Sequence, residues 1–311
     1  MSTKAVAESA GATAQDPIEL RPPRSELQMS YRRFWRHKAA VLGLTILIII
    51  SIGAIFADVI AIEPEETFYS FDELQTKKWL PPLTDGHLMG TDDIGRDVFS
   101  RVVRGSRVSL RVGFFAVGIA SIAGTLFGLA AGYFGGWVDQ VVSRAIDVML
   151  AFPDLLLAIA ILAALGPSLV NAMVALGLAG IPGYARVVRG ATLAARELVY
   201  VHAARAVGMS DTRIMLRHIL PNVLSPILIM MTLGLGGAIL AASALGFLGL
   251  AADPPTPEWG SELNLSRAYL RTAWWVSTFN GAAIAVTVLS VNMVGDGLRE
   301  ALDPQASSWA R

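Results

Sequence analysis

From Ala39 to Phe56 the chain is apolar and nearly free of polar atoms. A helix needs about 20 such residues to cross the hydrocarbon of a bilayer. Five more runs follow, near 107–132, 141–165, 168–187, 222–250 and 279–298. Each backbone amide in lipid must find its partner inside its own segment, which leaves helices as the only form for these runs. Composition agrees: 54% of the 311 residues are hydrophobic and 16% charged, against about a quarter charged in soluble domains. An ordinary soluble enzyme and a disordered chain are both excluded. The expected class is an all-α polytopic membrane protein with six transmembrane helices.

The runs divide the chain. Residues 1–30, rich in Ala, Ser, Pro and charge, read as a disordered cytoplasmic tail. The N-terminal transmembrane helix occupies 31–60, starting too deep and lacking the small-residue cleavage site of a signal peptide. A first extracellular loop covers 61–105, a core 106–300 and a short tail 301–311. Arg32, Arg33, Arg36 and Lys38 flank the first run and place the N-terminus in the cytoplasm. Six crossings return the C-terminus to that side, together with a loop at 188–221 that carries Arg189, Arg196, Arg205, Arg213 and Arg217. One group opposes this parity: Arg96, Arg101, Arg104, Arg107 and Arg111 fall outside. Asp92 with Arg96 and Asp97 with Arg101 have the i,i+4 spacing of helical ion pairs, which would neutralise part of that charge.

Several chemistries are ruled out early. There is no cysteine, hence no disulfide or thiolate. Four scattered histidines suggest no metal site, and a net charge of zero gives nucleic acid nothing to hold. No Gly-rich phosphate loop is present, so no catalytic residue is expected.

Leu198 to Pro221 carries the clearest local pattern. Leu198, Val201, Ala204 and Val207 recur at helical spacing. Gly208 suits a left-handed helix end, and Ser210 or Asp211 can cap a second helix. Pro221 fits the first turn of the next span. On these features the segment is either a connector resting on anionic headgroups or a docking helix for a cytoplasmic subunit.

The same stretch resembles the loop signature of permease subunits of ATP-binding cassette (ABC) importers, with Ala203, Ala204, Gly208, Leu220 and Pro221 in register. His202 stands where that family usually has Glu, and His218 where many members have Ile. HLMGTDDIGRDVFSRVVRGSRVSL (His87 to Leu110) and NMVGDGLREALDP (Asn292 to Pro304) are similar to two further motifs of the oligopeptide, dipeptide and nickel group. The N-terminal span and long first loop look like its C-type member.

The resemblance implies a type I ABC importer permease fold. It also implies a second permease subunit in a heterodimer, two cytoplasmic ATP-binding subunits and an extracellular substrate-binding protein. ATP and Mg would be bound by the ATPase partners and no cofactor by this chain. Coupling to the ATPases would fall on His202, Ala203, Ala204, Arg205, Gly208, Met209, Ser210 and Asp211. Peptides are the expected cargo; nickel complexes and oligosaccharides are alternatives within the group. An ion-coupled secondary transporter is the rival from another class, but it would tend to show an internal repeat, and none is visible.

Other candidates lie in the spans. Gly124, Gly128 and Gly132 form a doubled GxxxG, either a close helix contact or the ordinary abundance of Gly in membrane helices. Gly237, Ala241 and Ser243 lie on a small-residue face of the fifth span, which the resemblance places along the pathway. Asp154 is either a polar lining group or a helix N-terminal carboxylate after Pro153; for Asp147 the second reading is preferred. Near the tryptophans at 274 and 275, which read as interfacial anchors, Trp259 and Gly260 are expected on a lip that meets the binding protein.

Overall fold

The computed structural model describes residues 26–64, 69–251 and 255–302, and among these it is helical without a strand. A basic helix, α1 (Glu26–Arg36), precedes the first span, α2 (Lys38–Ile55). Order thus begins before residue 30, where the tail was expected to end; residues 1–25 lie outside the described ones. His37 separates the two helices and caps the second, its Nδ1 accepting from the Ala40 amide at 3.0 Å.

Beyond α2 come two short helices, α3 (Ala57–Ile60) and α4 (Phe71–Lys77), and then α5 (Val98–Phe134). At 37 residues, α5 is about 55 Å long, well beyond the ~30 Å bilayer core. Its first turns therefore stand outside the membrane, and the loop expected to reach residue 105 ends at 97. Asp97 caps it, accepting from the Ser100 amide and hydroxyl at 2.7 Å.

The third expected span is two helices, α6 (Gly136–Leu150) and α7 (Asp154–Leu165), bent by 93° at the break. Pro153 explains the break: it has no amide to continue the ladder and it disfavours helix in the residue before it. By contrast, Pro182 does not interrupt α8 (Leu169–Arg196). Close packing on α5 holds this helix through the missing hydrogen bond. It also runs past residue 188, so the following loop is shorter than expected.

That loop contains α9 (Val199–Ala206) and one turn, α10 (Asp211–Ile214). A π-helical turn at Met215–Ile219 then joins α10 directly to α11 (Leu220–Phe247). The second of the two expected short helices is therefore the foot of the fifth span. α12 (Trp259–Ser266) and the last span, α13 (Trp274–Leu302), complete the chain.

Packing partners settle the path. β-carbons added at Gly124, Gly128 and Gly132 would meet Tyr184, Val188 and Thr192 at 2.5–2.7 Å, while one at Gly177 would meet Ile119. Residue numbers rise together, so α5 and α8 are parallel, and the bent α6–α7 pair must carry the chain back across as one broken span. α11 is antiparallel to α5, with Gly113 against Ile239 and Gly234 near Val117. α13 runs back along α11, with Gly295 on Leu233. Six crossings result. The start of α2 and the end of α13 pack together, Gly297 against Ala40, on the same face as the 197–219 elbow, and the described residues within 56–97 and 248–273 form a cap on the opposite face.

The cap accounts for three of the arginines that opposed the parity, Arg96, Arg101 and Arg107. Arg96 donates to Asp92 at 2.6 Å, as the spacing suggested, although in a turn rather than a helix. Arg101 does not pair with Asp97. It reaches Glu262, buried, and the Pro255 carbonyl at 3.1 Å, while His87 Nδ1 lies 2.9 Å from Asp97. Arg107 donates to Asp58 at 2.9 Å and to the carbonyls of Ala54 and Ile55.

Candidate functional site

Two regions draw together residues singled out in the sequence. The first is the elbow. Gly208 has φ +79°, the left-handed region that a side chain would strain, and it turns the chain between α9 and α10. The inner face of the elbow is apolar. Val201, Ala204, Ile214 and Ile219 form one buried cluster with Leu129 and Tyr133 of α5, Val188 of α8 and Val223 of α11. Met209 packs on its edge. Tyr133 donates to Asp211 at 2.5 Å, and the Arg205 guanidinium lies over the Tyr133 ring, 5.6 Å from its centre.

The outer face presents His202, Ala203, Arg205, Ala206 and Ser210, with Val199 84% and Val207 80% exposed. Ala203 and Ala204, adjacent in sequence, therefore differ in position: Ala203 faces out and Ala204 is part of the core. His202 lies 3.7 Å from Glu197, both exposed.

The second region is a cavity of about 300 Å³ between α5, α7, α8 and α11. Asp154 is its one charged lining residue and is exposed to it. As the first residue of α7, Asp154 also sits where free amides favour a carboxylate. Gly237 and Ala241 line the same space, and a β-carbon at Gly237 would meet nothing within 4 Å. Tyr184 crosses one wall and donates to the Met230 carbonyl at 3.1 Å. No periodicity marked Tyr184 or Tyr133; each sits in an apolar run, and only its partner in space distinguishes it.

Other candidates stand apart from the cavity. Gly124, Gly128 and Gly132 lie in the α5–α8 seam within this chain. Asp147 is neither buried nor helix-capping: it pairs with Arg186 at 3.2 Å on the surface. Ser243 is 4% exposed, beneath Gly260 rather than in the cavity.

Trp259 and Gly260 require a correction. Trp259 is 1% exposed and donates to the Val102 carbonyl at 2.9 Å, and Gly105 leaves room for its ring. Any side chain at Gly260 would collide with the Ser243 backbone. Both are packing residues that bind the cap to α5 and α11, and they offer no surface to a partner. Trp275 is likewise no interfacial anchor, being buried with its indole N–H on the Thr91 carbonyl at 3.0 Å. The unforeseen residue here is Glu258, which caps α12 through the amides of Gly260 and Ser261 at 2.9 and 2.7 Å. Burial pushes its carboxyl above the usual carboxylate range against the pull of those amides. Burial likewise raises Asp92, with Arg96 opposing.

Comparison with known proteins bears on both regions. Residues 124–308 match the family model of the binding-protein-dependent transport system inner membrane component, and residues 25–82 that of the N-terminal TM domain of oligopeptide transport permease C. A dipeptide transport system permease protein of Alkalihalophilus pseudofirmus is 48% identical over 279 residues, 90% of each chain. A glutathione transport system permease protein of Escherichia coli is 44% identical over 289 residues, 93% of each chain. Among solved structures, an inward-facing MetNI methionine ABC transporter aligns with TM-score 0.54 at 20% identity, covering 65% of this chain and 97% of that one. At that identity the likeness shows the fold, which is that of type I ABC importer permeases. With the elbow, the cavity and the six-crossing path in place, these matches make the chain a member of the binding-protein-dependent transport system inner membrane component family.

Proposed function

We propose that this chain imports short peptides as one of two membrane subunits of an ABC transporter, the second being a different permease. Cytoplasmic ATP-binding subunits drive it, and ATP and Mg reside on them; a substrate-binding protein delivers cargo at the cap. The chain itself is a non-enzymatic transport subunit. The elbow face is cytoplasmic, in keeping with the arginines around it. The peptide assignment rests on the relatives named above, whose cargoes are a dipeptide and glutathione.

The observation that carries this reading is the shared core of the elbow. The cluster that anchors α9 and α10 also holds the feet of α5, α8 and α11, and those three helices form most of the cavity wall. A partner that moves the exposed Val199–Val207 face therefore moves the wall with it. Close-packed interiors transmit displacement rather than absorb it, and alternating access needs only two packings of similar free energy. Asp154 faces the transported molecule and suits the ammonium end of a peptide.

The test is reconstitution of the chain in liposomes with its permease partner, ATP-binding subunits and binding protein, followed by uptake of a labelled dipeptide. Uptake should require ATP and all the subunits. Transport driven by an ion gradient without the ATP-binding subunits overturns the assignment.

A further inference from the structure

Between α2 and α5, away from the cavity, lies an open groove of about 770 Å³. Leu47 and Ala54 form one wall and Leu110, Phe114 and Phe115 the other, with Leu235 of α11 at its floor. Phe114 is 70% exposed and Phe115 56%. From Leu47 to Ile55 the groove extends about 12 Å along the helix, close to the depth of one leaflet's hydrocarbon, about half of 30 Å. Its upper rim is at the cap end of the spans, where an apolar slot meets the level of lipid headgroups.

That rim is electrostatically unbalanced. Arg107 and Arg111 line it, and Asp58 lies 2.9 Å from Arg107 while also 3.9 Å from the largely buried Arg104. Arg107 also donates from Nε and Nη2 to the carbonyls of Ala54 and Ile55. Arg111, one turn deeper, is exposed and lines the groove, and among the described residues no hydrogen bond or ion pair engages its guanidinium. An arginine inside a spanning helix is unfavourable unless its long side chain reaches a counter-charge or water. A neighbouring apolar helix would bury Arg111 without a counter-charge. A lipid supplies the chain for the slot and the phosphate for the rim together.

We infer that this groove seats an acyl chain of an anionic phospholipid from the cap-side leaflet, with the phosphate on Arg111. The Arg111 guanidinium, which no carboxylate among the described residues engages, favours an anionic over a zwitterionic headgroup. The site is independent of what the cavity transports.

The test places a photoreactive benzoylphenylalanine at Phe114 in the assembled transporter. The bilayer is mostly phosphatidylethanolamine with a minority of phosphatidylglycerol, and adduct masses are read after irradiation. Phosphatidylglycerol adducts should exceed their share of the bilayer about fivefold, the usual effect of one basic residue near an anionic surface. Arg111→Gln should return them to that share, and Arg111→Lys should restore the excess. Adducts in bulk proportion overturn the site, as do adducts insensitive to Arg111→Gln. Crosslinks to a partner polypeptide overturn it too, since the groove is then a subunit interface. The wild-type ratio alone decides if Arg111→Gln fails to assemble.

Discussion

Single side chains connect the elbow to the spans, and Tyr133 is the clearest. It closes the end of α5, donates to Asp211 across the turn and carries Arg205 over its ring. A hydrogen bond to a charged acceptor contributes about 1.5–3 kcal/mol. Tyr133→Phe should therefore loosen the elbow while preserving assembly, seen as faster amide exchange over 197–214 and a several-fold lower ratio of peptide imported to ATP hydrolysed. An unchanged ratio would assign the tyrosine to packing alone. Asp154 makes a different prediction, because its carboxylate faces the cavity and not a protein partner. Asp154→Ala should lower uptake with the complex still assembled, and wild-type uptake in that variant would remove the lining role.

Helices meet through glycine at some positions and leave space at others. A β-carbon at Gly128 would lie 2.7 Å from the Ala185 carbonyl oxygen and from Val188, whereas one at Gly237 meets nothing within 4 Å. Overpacking a well-filled seam costs typically 1–3 kcal/mol. Gly128→Leu should lower the thermal midpoint of the purified complex and its yield, while Gly237→Ala should leave both near wild type. Equal effects would contradict the parallel α5–α8 seam. The doubled GxxxG in the sequence predicted close approach without naming the partner helix. The partner is α8, whose Tyr184, Val188 and Thr192 meet the three glycines in turn.

Across the whole molecule, topology is the quantity to measure. The chain has no cysteine of its own, so single cysteines report without background. Leu83, 81% exposed on the cap, and Val207, 80% exposed on the elbow, should label from opposite sides. With a membrane-impermeant maleimide, Leu83→Cys should react in spheroplasts, and Val207→Cys only after the membrane is opened. Labelling of both from one side would refute six crossings.

The sequence alone established the class, the approximate positions of the spans and the turn at Gly208. Long apolar runs and a glycine between helical patterns are local features, and local physics decides them. It could not show that Asp147 pairs with Arg186, that Arg101 passes over Asp97 to reach Glu262, or that Trp259 and Gly260 are buried. Nor could it predict that Pro153 bends one span by 93° while Pro182 leaves another unbroken. Each outcome depends on what lies opposite the residue, often more than a hundred positions away in the chain. A proline breaks a helix where no neighbour supports it, and an arginine takes the carboxylate that folding brings nearest. Only the tertiary structure contains those neighbours.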